Sequence, residues 1–212
     1  RRDLNELADQ GHLKKVHGGA ISLTYIPSFK KREVQEIQIK HQIAKKALPL
    51  IEEGQVLIID GGTTNLQLIN ILPLDITLTV FTNSIPVASK LCEYKNIDGV
   101  LLGGNILKKG FTTIGYHTME ILKEINADLC FLGITSVDVQ RGLTEDNREE
   151  TILKKGIIGA SKKVASMVIS NKLGTSQNFK VGDITQLDIL ITELPPTDEM
   201  LYPFHKKGLE VL

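Results

Sequence analysis

From residue 56 onward the chain is punctuated by short, nearly continuous apolar runs at 56–59, 76–81, 100–102, 129–132, 164–169 and 187–191. Each is rich in aliphatic and β-branched residues and lacks the alternation of a half-solvated strand, which predicts strands buried on both faces. Between them, apolar residues recur at helical spacing over 64–72, 85–95, 114–126, 146–163 and 198–207. A further helix is expected over 33–53, where Ile37, Ala44, Leu48 and Ile51 share a face, Pro49 kinks or breaks the last turn and Gly54 ends it. Ser84 with Pro86 reads as a helix start, and Asp146 with Glu149 has capping-box spacing. Strand and helix alternate, so the predicted fold is α/β, a mostly parallel sheet flanked by helices on both faces. Such sheets bind ligands outside the carboxyl ends of their strands.

The first residues follow a different pattern. Leu4, Leu7 and Ala8 make one apolar helical face and Gly11 sits at a C-cap position. A hairpin is expected next, with Leu13–Val16 as one strand, Gly18-Gly19 as the turn and 20–23 as the return. Lys14, Lys15 and His17 lie near its tip as donors for phosphate oxygens. A helix followed by a basic hairpin is the tail of a winged helix-turn-helix, although an unpartnered surface helix and hairpin would use the same residue types. Tyr25-Ile26-Pro27-Ser28 reads as a joint, dividing the chain into a head, 1–23, and a body, 24–212.

At 212 residues and 42% apolar content the body has ample material for a packed core. Lysine plus arginine equal aspartate plus glutamate at 25 each, so any DNA affinity must come from a local patch. Cys92 and Cys130 lie in apolar sequence without metal-ligand or disulfide spacing, and a cytoplasmic setting is expected. The apolar runs fall far short of the ~20 residues that span a bilayer, so no membrane partner is expected. The histidines at 12, 17, 41, 117 and 205 are scattered, and neither a catalytic triad, a metal site nor a cofactor motif is legible.

Candidate chemistry lies in the loops. The run at 56–59 leads into Asp60-Gly61-Gly62-Thr63-Thr64-Asn65 at a helix start, where unpaired N–H groups and two hydroxyls can cradle a phosphate. No Gly-Lys-Ser/Thr follows, so it is not a Walker loop, and a plain tight turn remains the alternative. Thr82-Asn83-Ser84, Gly103-Gly104, Asp138 and Lys154 follow later strands. Each has a plainer reading as a helix cap, a glycine turn, a loop carboxylate or a surface lysine.

Arg1-Arg2-Asp3-Leu4-x-x-Leu7, the Gly11-x-Leu13 turn and Lys14-x-Val16-His17-Gly18-Gly19-Ala20 resemble the end of the DNA-binding motif of DeoR-type transcriptional regulators. The later loops match that family's pattern in order and spacing, so the resemblance spans the chain. It implies that Arg1 and Arg2 close a recognition helix, whose earlier turns would lie ahead of residue 1, and that 14–19 form a wing. It implies a body similar in fold to ribose-5-phosphate isomerase and glucosamine-6-phosphate deaminase. In that body Asp60 to Asn65 would bind phosphate, and Thr82, Asn83, Ser84, Gly103, Gly104 and Asp138 would line the sugar end. Lys154 matches the lysine of a Glu-x-x-Val-Lys helix. Ser170-Asn171-Lys172-Leu173-Gly174 stands where the family often has Asp-His-Ser-Lys-Phe-Gly, keeping Lys172 but neither the aspartate nor the histidine. The function implied is a homodimeric or homotetrameric repressor of sugar-metabolism genes that binds operator DNA and a phosphorylated sugar effector. A sugar-phosphate isomerase or deaminase is the alternative.

Overall fold

The structure, a computed structural model, describes residues 26–212, residue 5, and the backbone of 13–16 and 19–22. Arg1, Arg2, His17 and the side chains of Lys14 and Lys15 lie outside the described residues, as does the expected apolar face at Leu4, Leu7 and Ala8. Strands β1 (Leu13–Val16) and β2 (Gly19–Ser22) pair antiparallel with Val16 opposite Gly19, so the return strand begins one residue before the expected Ala20.

The body is built on a seven-stranded sheet. Its strands are β3 (Val56–Ile59), β4 (Leu78–Thr82), β5 (Ile97–Leu101), β8 (Leu129–Phe131), β11 (Val164–Met167), β13 (Ile189–Ile191) and β14 (Glu210–Val211). Their order is β14-β13-β11-β8-β3-β4-β5, and every pairing is parallel. The chain builds outward from β3 to one edge through β4 and β5, then returns to build toward the other from β8. The crevice between the ends of β3 and β8 is therefore the topological switch point.

Side-chain alternation along the strands sorts the core into two layers. Leu57, Ile59, Leu129, Phe131, Ala165 and Met167 face one side and pack on helices α1 (Phe29–Glu33), α2 (Ile37–Ala47), α3 (Thr63–Asn70) and α4 (Ile85–Leu91). Ile58, Cys130, Leu132, Val164 and Leu190 face the other, against α5 (Tyr116–Leu122), α6 (Arg148–Gly159) and α7 (Tyr202–His205). Burial on both faces accounts for the continuous apolar runs. β5 departs from that expectation: it is an edge strand, with Asp98 and Gly99 exposed and Leu101 43% exposed. No helix among the described residues is long and apolar enough to cross a membrane.

Three local features differ from the sequence reading. The helix expected over 33–53 is shorter, α2 followed by a 3-10 turn at Leu48–Leu50 that accommodates Pro49, and a separate helix, α1, precedes it and ends at Glu33. The break falls before Ile37, where Glu36 takes φ 51° and the buried Lys40 ammonium donates to the carbonyls of Arg32 and Gln35. The cap of α6 is Asn147, which accepts from the amides of Glu149 and Glu150 at 2.8 and 3.1 Å, instead of Asp146. Cys92 is exposed, whereas Cys130 is buried and its thiol is pushed up to about 12, mainly by burial.

Small antiparallel pieces complete the body. β6 (Asn105–Leu107) and β7 (Thr112–Ile114) form a hairpin, and β9 (Ser136–Asp138), β10 (Gly142–Glu145) and β12 (Phe179–Gly182) form a three-stranded sheet ordered β12-β10-β9. These were not legible as apolar runs, yet they supply two walls of the site.

Candidate functional site

Asp60 follows β3 at the switch point and is fully buried. Its backbone amide continues the sheet onto Phe131 O at 3.1 Å. Its carboxylate accepts from Gly61 N at 2.6 Å, Gly133 N at 3.0 Å and Lys154 Nζ at 2.6 Å. Both carboxylate oxygens are engaged inside the protein, so Asp60 orders the loop. Asn65 is likewise internal, its amide donating to Asp60 O and Phe131 O, both at 2.9 Å. A Cβ at Gly133 would collide with the Gly61 carbonyl, so the two crossing loops approach as only glycine permits.

What this scaffold presents is the start of α3. Gly62 precedes it at φ 155°, no side chain caps it, and the Thr63 and Thr64 hydroxyls make no hydrogen bond among the described residues. The leading amides of an uncapped helix point outward and carry its positive dipole end. Together with Gly61, Gly62 and Asn65 they line a cleft whose other walls are Arg32 of α1, Lys109, Gly110 and Thr112 of the β6–β7 hairpin, Thr135, Glu145 and Asp146 around β10, Glu150 and Lys154 of α6, and Lys172.

Charge in the cleft is dense and nearly matched. Lys154 stands 2.6 Å from Asp60 and 3.7 Å from Glu145. Burial opposes its charge, but Asp60, Glu145 and Glu150 outweigh that and raise its pKa. Burial raises Glu145, against Lys154 and hydrogen bonds from Thr135 N at 3.0 Å and Thr135 Oγ1 at 2.5 Å. Burial also pushes Glu150 up to about 7, opposed by Lys154 and assisted by Glu145, Asp60 and Asp146. Lys172, half-buried and donating to Ile134 O at 2.9 Å, is pushed down to about 8 by burial, with the neighbouring charge of Arg32 next in weight. Arg32 anchors its Nε on Pro27 O at 3.1 Å, and burial lowers its pKa while Glu150, Glu145 and Asp146 oppose. Lys109 pairs with Asp146 at 2.5 Å. With Glu150 partly protonated near neutrality, the balance is cationic and suits an anion.

Of the residues singled out in the sequence, Gly61, Gly62, Thr63, Thr64, Asn65, Lys154 and Lys172 line the cleft. Those expected at a sugar end do not. Thr82 donates to Ile59 O at 2.6 Å and Ser84 caps α4 by accepting from Val87 N. Asn83 braces the first loop by accepting from Gly61 N at 3.0 Å. Gly103 receives the Thr118 hydroxyl, and at Gly104, φ 130°, a Cβ would strike that same hydroxyl. Asp138 Oδ1 accepts from the amides of Gln140 and Arg141 in the β9–β10 turn, at 2.8 and 2.7 Å. Arg32, Lys109, Thr112 and Glu150 complete the cleft instead. Only Glu150 had a signal, four residues before Lys154 on one helix face.

The carboxylates of Glu145, Asp146 and Glu150 offer oxygens within 4.8 Å of one another, a spacing a cation could bridge. Two of the three already face lysine ammonium groups.

Residues 35–194 match the DeoR C terminal sensor domain, and residues 1–25 the DeoR-like helix-turn-helix domain. The HTH-type transcriptional regulator GlpR of Haloferax volcanii is 33% identical over 91% of this chain and 76% of its own length. GolR of Listeria innocua is 32% identical over 100% of this chain and 84% of its own. The glycerol-3-phosphate regulon repressor of Escherichia coli is 31% identical over 92% and 79%. Among solved structures, eIF2B beta from Chaetomium thermophilum superposes with TM-score 0.53 at 19% identity, covering 81% of this chain and 52% of that one. Ribose 5-phosphate isomerase A from Neisseria gonorrhoeae gives TM-score 0.48 at 17% identity, over 65% and 54%. The chain spans about half the length of these solved structures, and eIF2B beta shares its fold. With both its sensor and its helix-turn-helix segments matched, the chain belongs to the DeoR family of transcriptional regulators.

Proposed function

We propose that residues 24–212 sense a phosphorylated sugar in the cleft at the switch point, and that residues 1–23 belong to the DNA-binding head of a repressor of sugar-metabolism genes. The observation that carries this reading is the uncapped start of α3, with two unengaged threonine hydroxyls, facing Arg32 and Lys172. Helix-start amides and hydroxyls supply directed donors to phosphate oxygens, and the guanidinium and ammonium supply charge. Lys154 contributes through Asp60, holding the loop in register. The name of the glycerol-3-phosphate regulon repressor, a relative at 31% identity, supports the ligand class.

The cleft is close in sequence to the head segment. Ile26 and Arg32 line the cleft, and both lie in the segment that joins the hairpin strand β2 to the body. Phe29 N bonds to Lys109 O at 2.9 Å, tying that segment to the β6–β7 hairpin. A ligand that draws Arg32 toward its phosphate acts directly on the connection to the head, provided it binds one arrangement better than the other. A homodimer or homotetramer in the cytoplasm completes the reading, since paired heads match paired operator half-sites.

Calorimetric titration with ribose 5-phosphate, glucose 6-phosphate and glycerol 3-phosphate, beside the unphosphorylated sugars and with product assayed, tests it. Phosphate-dependent binding without turnover is the expected result. Turnover would restore the isomerase or deaminase alternative, and no binding by any phosphate would sink the effector assignment.

A further inference from the structure

One side-chain oxygen among the described residues, Thr112 Oγ1, is buried without a hydrogen-bond partner. Thr112 is 2% exposed, lines the cleft, and belongs to the β6–β7 hairpin. A buried hydroxyl left unpaired costs free energy, so its position implies a group to meet it. The carboxylate of Glu150, from α6 on the facing wall, makes no hydrogen bond or ion pair among the described residues. The two converge on one place: a Cβ built on Gly110 would sit 3.0 Å from Thr112 Oγ1 and 3.4 Å from Glu150 Oε1. Asp146 closes the third side, its carboxylate within 4.8 Å of that of Glu150.

The chemistry of this corner selects its occupant. Two carboxylates repel a second anion. A metal cation would compete with Lys109, already 2.5 Å from Asp146, and with Lys154 beside Glu145. An apolar group would leave Thr112 unmet. An alcohol fits, because one hydroxyl can donate to a carboxylate while accepting from the threonine.

We propose that Thr112, Glu150 and Asp146, over Gly110, form a hydroxyl-recognition subsite that takes the polyol carbons of a ligand whose anionic end rests at Thr63 and Thr64. This rests on the reading of the cleft as a phosphate site and adds where the sugar is read. The Glu150 carboxyl, held near 7, meets a hydroxyl as donor or acceptor and so discriminates by position. A site built around a hydroxyl disfavours analogues that lack it, because its buried polar groups are then left unpaired. Gly110 is outside the positive-φ region, so a methyl there fills the subsite without backbone strain and changes no charge.

The test is calorimetric titration of the wild-type chain and of Gly110→Ala, Thr112→Val and Thr112→Ser with ribose 5-phosphate, glucose 6-phosphate, glycerol 3-phosphate and inorganic phosphate, after thermal melts establish folding. Gly110→Ala and Thr112→Val are expected to weaken the bound sugar phosphates about tenfold while leaving inorganic phosphate within about twofold. Thr112→Ser, which keeps the hydroxyl, should stay near wild type and serves if either of the others fails to fold. Equal loss for sugar phosphates and inorganic phosphate, or no loss for either, overturns the subsite and leaves the phosphate cradle standing. Absence of all phosphate binding in the wild type removes the cradle and the subsite together. Mn2+ binding to the wild type that disappears in Glu150→Gln would make the carboxylates metal ligands and overturn the assignment.

Discussion

Lys154 Nζ lies 2.6 Å from Asp60 Oδ2, both side chains almost wholly buried, and joins the end of β3 to the middle of α6 across 94 residues of sequence. The pair occupies the switch point and sets the loop that presents Thr63 and Thr64. Removing one partner strands a buried charge. Asp60→Asn or Lys154→Met should each cost about 3 kcal/mol in urea unfolding. The double variant should cost clearly less than the sum of the two. Additive costs would show that the pair is not coupled.

Thr63 and Thr64 face the cleft, whereas Asn65, one residue on, is a brace. Thr63→Ala and Thr64→Ala should therefore weaken phosphate binding while shifting stability by no more than about 1 kcal/mol, the buried Thr63 more than the half-buried Thr64. Asn65→Leu leaves the Asp60 carbonyl without the Asn65 donor and Phe131 O with the Asp60 amide alone, and should cost about 2 kcal/mol. Thermal melts beside phosphate titrations separate the two classes.

Arg32 is both a cation in the cleft and part of the segment leading to the hairpin. Arg32→Ala should reduce affinity for ribose 5-phosphate or glycerol 3-phosphate about tenfold or more, as expected for a lost charged hydrogen bond. Arg32→Lys should recover only part of that, since an ammonium cannot hold Pro27 O and a phosphate with one planar fork. Asp138→Asn, in a turn away from the cleft, should leave binding unchanged. Equal effects of Arg32→Ala and Asp138→Asn on binding would contradict the placement of the site.

Glu150 and Lys172 give the cleft a pH dependence of defined sign. Glu150 is raised from 4.5 to about 7, so the folded chain holds a proton the unfolded chain has released, and this contribution to stability is lost as pH rises through that window. Lys172 is lowered from 10.5 to about 8, so its contribution runs the other way, with stability rising between those values. A bound phosphate favours protonated Glu150 and charged Lys172. Binding should take up protons between about pH 7 and 8, where a phosphomonoester with second pKa of about 6 is already a dianion. Titrations in buffers of different ionisation enthalpy measure that uptake, and Glu150→Gln should reduce it. A proton release would reverse the assignment.

The sequence alone determined the sheet and the loop at its centre. Parallel strands covered on both faces must be apolar throughout, so β3, β4, β8, β11 and β13 were visible as runs, and the helices between them by their 3.6-residue period. Asp60 to Asn65 stood out because a helix starting directly after a strand with Gly-Gly-Thr-Thr has few uses. The break between α1 and α2 was hidden, because Val34-Gln35-Glu36 contains neither glycine nor proline and is held open by the Lys40 clamp. Tertiary structure decided which polar groups remain for a ligand. Asp60 and Asn65 read as ligands until burial tied both Asp60 carboxylate oxygens and the Asn65 amide nitrogen to internal partners. Arg32, Thr112 and Glu150 carry no shared local pattern and meet only because α1, the β6–β7 hairpin and α6 converge over the end of β3. Periodicity records which face of an element is buried. Which buried polar atom is left without a partner depends on neighbours remote in sequence, and that is settled only when the chain has packed.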